Sequence, residues 1–277
     1  MICEMQVRNY SPRTIKSYVS MIAGLSRHYN ISPDLLSTQQ VKDYLQHRIQ
    51  KHKVSVSTIN QTIGAWRILQ VDILKREWID FEIKRPRKEK KLPVVLSRAE
   101  ALRLVNALLN IKHRAILTLA YTTGLRRNEL LGLKLPHIDY DRKQIRVVDG
   151  KGRKQRMIPV PDSVLSLLRV YCEAYRPKDY LFAGYGYEPG KQYSATSFSN
   201  IVKRAARKAS ITKKVSPHVL RHSFASHMLE QGLNLKALQM ILGHTSMKTT
   251  AVYLHVTNID TSTIPDLSIS APINELQ

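Results

Sequence analysis

Through the first eighty residues, apolar positions recur at helical spacing. Ile15, Tyr18, Val19, Ile22 and Leu25 form one face behind Ser11-Pro12. That pair predicts an N-cap followed by a proline at the first helical position, where its missing N–H costs nothing. A second helix is predicted from Ser37, with Gln40 placed to close a capping box and Val41, Tyr44, Leu45 and Ile49 as its buried face. A third starts at about Ser57 and carries Ile59, Ile63, Trp66 and Ile73 on one stripe. Lys51, Lys53, Arg67, Lys75 and Arg76 lie between these stripes, so residues 1–83 predict a small basic helical bundle. Residues 84–91 are nearly all charged and are followed by Pro93; such a run buries no core, and 84–96 is expected to be a linker.

The pattern resumes at Ser97, which with Glu100 predicts a second capping box and a helix through residue 108. Residues 113–121 are apolar on one side before Thr122-Thr123-Gly124 breaks the helix. Residues 144–148 and 155–160 are strand-like and joined through Asp149-Gly150, a strong hairpin signal. Helices are expected again over 163–175, 197–209, 217–230 and 235–242. Residues 258–277 hold two prolines and scattered apolar residues outside the evident core. The fold class predicted for 97–277 is mainly helical with one small β-sheet.

Charge adds a partner to this picture. Forty-four Lys and Arg against 21 Asp and Glu leave a formal net charge of +23. Such an excess repels itself and suits a polyanion; nucleic acid leads, because each phosphate contact releases a condensed counterion. No apolar run is long enough to span a bilayer and no lipidation motif occurs, so no membrane role is expected. Cys3 and Cys172 lack metal-ligand spacing and predict unpaired thiols in a reducing compartment. Residues 1–10 carry charge and no apolar h-region, unlike a secretory signal, which points to the cytoplasm.

Four segments hold candidate chemistry. In Ser216-Pro217-His218-Val219-Leu220-Arg221-His222, a capped helix start places His218 and Arg221 on one face. A guanidinium beside an imidazole suits a phosphate, although an ordinary surface pair has the same spacing. Arg126 follows the turn at Gly124, and Glu129 can pair with an arginine and orient it, but Arg127 competes for the place. Lys151, flanked by Gly150 and Gly152 at the hairpin tip, is either a solvated lysine or a proton donor to a leaving alkoxide. Gly243 ends one helix, Ser246 can cap the next, and Tyr253 falls on about its second turn. A lone tyrosine is commonly a core aromatic. It becomes a nucleophile only where a base takes its proton and cations stabilise the charge.

Taken in order, the stretches TTGLRRNELLGL, GKGRKQRMIPV, HVLRHSFASHMLEQG and LGHTSMKTTAVYLHV resemble the tyrosine recombinase, or phage integrase, family over about residues 97–253. The N-terminal part resembles, more loosely, the helical SAM-like core-binding domain of such enzymes, which together with the catalytic domain makes a C-shaped clamp on DNA. The resemblance implies that Arg126 and Arg221 grip the phosphate and that Lys151 protonates the leaving 5′ oxygen. It further implies that His218 accepts the tyrosine proton and contacts the phosphate, that His244 supports the non-bridging oxygens, and that Tyr253 attacks. Glu129 matches an acidic position that buttresses the arginines.

The implied enzyme is a site-specific DNA recombinase passing through a 3′-phosphotyrosyl link and a Holliday junction, with no metal, cofactor or nucleotide. Its partners would be double-stranded DNA carrying specific sites and three further copies of itself, a homo-tetramer linked through the tail after Tyr253, with Leu267 and Ile269 as anchors. An arm-binding domain is not expected, which favours a simpler recombinase acting on short inverted sites. A type IB topoisomerase and a non-catalytic DNA-binding regulator are the alternatives.

Overall fold

The computed structural model describes residues 1–78, 92–148, 155–184 and 190–257. The chain divides into two units, residues 1–91 and 92–277.

In the first unit, α1 (Ile2–Val7) precedes the expected helices; its fully buried Met5 packs with Ile15 and Ile68. The sequence pattern missed this helix because six residues carry less than two turns of periodicity. Helix α2 (Pro12–Tyr29) is capped by Ser11, whose hydroxyl accepts the Thr14 N–H. The capping box of α3 (Thr38–His52) forms between Ser37 and Gln40. Helix α4 (Val56–Arg67) is capped by Ser55, two residues ahead of the expected start, and runs on as a π-helical segment, Ile68–Ile73. Ile22, Leu25, Val41, Tyr44, Leu45, Ile59, Ile63 and Trp66 make the core. Ile49 is not part of it, being 47% exposed. It is in phase with the buried face of α3, but a face is covered only as far as a neighbouring helix runs beside it.

In the second unit, α5 (Arg98–Asn106) starts on the Ser97–Glu100 capping box. Helix α6 (Ile111–Thr123) is buried on several sides, by Ala115, Ile116, Leu117, Leu119 and Ala120, rather than on one. It is the central helix of the unit, against which α8 (Asp162–Tyr175) and α10 (Pro217–Glu230) pack. The short α7 (Arg127–Leu131) leads to an antiparallel sheet of β1 (Ile138–Asp139), β2 (Gln144–Val148) and β3 (Gln155–Pro159). Ile145 pairs with Ile158 and Val147 with Arg156, so these four share one face of the sheet. The hairpin tip with Asp149-Gly150 and Lys151 lies outside the described residues. Helices α9 (Ala195–Lys208), α11 (Leu235–Leu242) and α12 (Met247–Ala251) complete the unit, and a 3₁₀ segment, Val252–His255, follows.

Helix α10 carries His218, Arg221 and His222, and buried polar contacts fix its register. Ser223 Oγ accepts the Leu96 N–H at 2.9 Å, and His227 Nε2 lies 2.9 Å from the Leu96 carbonyl. The other ring nitrogen of His227 meets the Tyr121 hydroxyl at 2.8 Å. The incoming chain, α6 and α10 are thus tied by one histidine and one serine, all buried or partly buried.

Gly124 closes α6 at φ +58°, in the left-handed region, and a Cβ there would stand 2.3 Å from Phe224 Cδ1 on α10. Gly124→Ala therefore combines backbone strain with overpacking, and we expect a loss of about 2–4 kcal/mol. Urea denaturation of the two proteins measures it; an unchanged midpoint would show that α6 and α10 can move apart at this point.

Candidate active site

One turn, one strand and two helices bring charge together around Glu129. Its carboxylate sits at the start of α7 and accepts the Arg126 backbone N–H at 2.8 Å and Arg126 Nη1 at 2.8 Å. Arg156, on β3, approaches the same carboxylate with both terminal nitrogens, Nη1 at 3.1 Å and Nη2 at 2.8 Å. Arg221 Nη1 lies 4.0 Å from Glu129 Oε2. Burial alone would raise the Glu129 pKa, but hydrogen bonds from Arg156 and Arg126 outweigh it and hold the carboxyl below its usual range.

Each arginine is also pinned to a carbonyl. Arg126 Nη2 donates to Gly243 O at 2.9 Å and Arg156 Nε to Ile241 O at 2.7 Å. Arg221 Nη1 donates to Gly124 O and Nη2 to Leu242 O, both at 2.7 Å. These acceptors are the C-terminal carbonyls of α6 and α11, where helices leave carbonyls unpaired and cations are favoured. Gly243, at φ +63°, allows the approach: a Cβ there would meet Arg156 Nη1 at 2.8 Å. Arg221 is 4% exposed, and burial, then Arg126, push its pKa down to about 10, so it stays charged at neutral pH.

Three guanidiniums around one carboxylate leave positive charge in excess. Arg126 is the most open of them, its side chain 37% exposed. Arg126, rather than Arg127, joins Glu129 and Gly243.

His244 caps this cluster. Its Nε2 is 2.9 Å from Arg221 Nη2 and its Nδ1 is 2.9 Å from Thr250 Oγ1. A guanidinium only donates, so Nε2 accepts and the proton sits on Nδ1, facing the threonine. Burial, followed by Arg221 and Arg126, lowers the His244 pKa to about 4, in keeping with a neutral ring.

Tyr253 lies on the 3₁₀ segment after α12, which ends a turn earlier than the sequence pattern suggests. Its ring is buried with Phe224, Leu238 and Leu242, roughly parallel to that of His244 at 6.4 Å. Burial raises its pKa and Arg221 and Arg126 pull it back, with a net upward shift, so the free phenol is protonated. The histidine at its hydroxyl is His222, with Nδ1 at 3.0 Å. His218, the expected proton acceptor, is exposed at the start of α10, its ring 6.4 Å from that of His222 and not hydrogen-bonded to Tyr253 among the described residues.

Of the residues expected to act together, Arg126, Glu129, Arg221, His244 and Tyr253 converge here, His218 stands beside them, and Lys151 lies outside the described residues. Arg156 and His222 were not anticipated. Arg156 was legible as a charge at an inward position of a strand, in phase with Ile158; His222 as the residue one turn after His218. Among the described residues no group of three or more His, Cys, Asp or Glu is placed to hold a metal ion, and no helix is long and apolar enough to cross a membrane.

Residues 94–259 match the phage integrase family, and residues 1–80 match the N-terminal SAM-like domain of phage integrases. The chain belongs to the phage integrase family. The putative integrase/recombinase y4qK of Sinorhizobium fredii is 36% identical over 254 residues, covering 91% of this chain and 82% of that protein. Tyrosine recombinase XerD of Staphylococcus aureus is 32% identical over 260 residues, 88% of this chain and 85% of its own. Among solved structures, the XerH site-specific recombinase bound to its palindromic difH substrate has a TM-score of 0.73 at 21% identity, over 92% of this chain and 80% of that one, a likeness of fold. Enzymes of this family catalyse DNA strand exchange, and this integrase-family chain is read as a site-specific recombinase; neither a topoisomerase nor a non-catalytic regulator finds support among its relatives.

Proposed function

We propose that the recombinase cuts DNA by in-line attack of the Tyr253 phenol on a phosphodiester held by Arg126 and Arg221. The observation that carries this reading is the Tyr253 ring lying parallel to that of His244, which itself meets a buried, triply bonded guanidinium with surplus positive charge around it. A phosphate in flight toward its transition state spreads negative charge over its oxygens, and fixed cations lower that barrier because they need not reorganise. Arg221 is fixed by its three acceptors and Arg126 by Glu129; His244 and His218 flank them and complete the cradle. The new bond joins phenol oxygen to phosphorus and the bond to the 5′ oxygen breaks. Lys151 supplies the proton to that oxygen, leaving a 3′-phosphotyrosyl link and a free 5′ hydroxyl. The ester keeps the bond energy, so the 5′ hydroxyl of a partner strand rejoins the chain without a nucleotide.

Repeated on two duplexes, the exchange builds and resolves a Holliday junction within a homo-tetramer. Residues 258–277 link neighbouring protomers, with Leu267 and Ile269 as anchors, and the N-terminal unit grips the duplex with its basic helices. The excess of cations throughout the chain supports a DNA partner. The reaction belongs in the cytoplasm, with the DNA.

The test compares tagged wild type with Tyr253→Phe, isolated under denaturing conditions, followed by sequencing of covalently attached DNA. Wild type is expected to yield adducts at a few discrete sites. Tyr253→Phe should yield none while binding DNA and folding normally, because the ring remains in its apolar cluster and only one hydrogen bond, about 1 kcal/mol, is lost. Adducts that survive the substitution would overturn the assignment of the nucleophile.

A further inference from the structure

Resting on that reading, we propose that His222 holds the Tyr253 hydroxyl in the free enzyme and receives its proton as the phenol attacks. The geometry begins with α10, whose register is set by Leu96 through Ser223 and His227. In that register Arg221 turns into the arginine cluster, His218 faces solvent, and His222 turns toward the 3₁₀ segment. Its Nδ1 is 3.0 Å from the phenol oxygen, within the range for direct proton transfer.

The direction of the bond follows from the neighbours. Tyr253 keeps its proton in the free enzyme, because burial raises its pKa above the ordinary phenol range. Its own O–H then needs an acceptor, and a neutral His222 with a bare Nδ1 supplies one. His222 is neutral at physiological pH, since burial, then His218 and Arg221, push its pKa down to about 4. Before DNA binds, the phenol keeps its proton, because so weak a base cannot take it from a raised phenol. A diester seated among the arginines changes both terms. Its negative charge offsets Arg221 and favours an imidazolium, and the phenol becomes more acidic as its oxygen starts to bond to phosphorus. The proton moves from Oη to Nδ1 while the P–O bond forms, and it returns to the phenol when the strand is rejoined, so none is gained or lost over the cycle.

The experiment is single-turnover adduct formation on a duplex carrying the site most often recovered with wild type, using His222→Ala, His222→Asn and His218→Ala. Both His222 substitutions are expected to slow the step by roughly 10²–10⁴-fold, the usual contribution of a positioned base, with DNA affinity kept. Asparagine retains a polar group but cannot take a proton, so it should be no faster than alanine. Added imidazole should restore part of the rate of His222→Ala, and more basic methylimidazoles should restore more. Near-wild-type rates in His222→Asn, or azole rescue of His218→Ala but not of His222→Ala, would overturn the proposal and leave the proton with His218.

A DNA-free measurement stands beside it, should a variant fold poorly. Nitrogen shifts of His222 in the wild-type protein should show a bare Nδ1 and a protonated Nε2, and a protonated Nδ1 is the contrary result. If Tyr253→Phe still forms adducts, the nucleophile itself is misassigned; if it forms none while the His222 variants run at full rate, only the role of His222 fails.

Discussion

Arg221→Ala is expected to abolish measurable strand cleavage and to cost the catalytic unit on the order of 2–4 kcal/mol in stability. The guanidinium ties the end of α6, at Gly124, to the end of α11, at Leu242, and orients His244. Truncation leaves these acceptors in a buried site without a donor, and an unpaired buried acceptor loses its full desolvation energy. The chemical loss is separate. Removing a preorganised donor from a site of charge development commonly lowers rates by 10²–10³, and here the donor also holds His244 in place, so a drop beyond about 10³ is expected. Arg221→Lys should recover little, because one ammonium has neither the planar fork nor the reach to serve three acceptors. Urea denaturation and adduct formation check the two effects independently. Cleavage lost at wild-type stability would mean that water or a neighbouring arginine replaces the buried bonds and that the role is electrostatic alone.

Glu129→Gln carries the second large effect, about 3–5 kcal/mol at neutral pH, the usual result of leaving buried cations without their partner. The carboxylate is 6% exposed and is shared by Arg126 and Arg156, with Arg221 close by. A neutral amide keeps the shape, but at least one of its two groups must turn a donor toward a guanidinium. The pH dependence has a definite sign. The folded carboxyl is held below its usual range, so its stabilisation is complete above the unfolded value, about 4.3. It is lost as pH falls through the lower folded value. The stability difference between wild type and Glu129→Gln should therefore be largest at neutral pH, start to shrink as pH falls through about 4.3, and disappear only below the lower folded value, where both side chains are uncharged. A difference that stays constant down to pH 3 would show that the amide's shape, rather than the carboxylate's charge, sets the loss. Cleavage should fall as well, because Arg126 loses the group that aims it.

The parts of this protein written locally in its sequence are those decided within one helical turn. Ser11, Ser37 and Ser97 cap their helices because a hydroxyl three residues from an unpaired N–H needs no other part of the chain. Gly124 ends α6 because only glycine enters the left-handed region without penalty, the apolar periodicity of α2 and α3 places those helices with small errors at their ends, and Ser216-Pro217 marks the start of α10. The four motifs named the family and most of the site in the same way, as short strings in a fixed order.

What tertiary structure alone decided is which of two adjacent candidates faces inward. Arg126 rather than Arg127 meets Gly243, 117 residues away, and Arg221 meets Gly124 across 97. His222 rather than His218 meets Tyr253 across 31 residues, and Arg156 meets Glu129 across 27. Adjacent residues on a helix point about 100° apart, whereas His218 and His222 lie one turn apart on the same side, so the choice depends on the rotation of α10 and on where along it the 3₁₀ segment crosses. That rotation is set by Ser223 and His227 gripping Leu96, and by Gly124 giving room to Phe224. Such contacts join segments distant in the chain, and no pattern along one of them records the angle at which the other arrives.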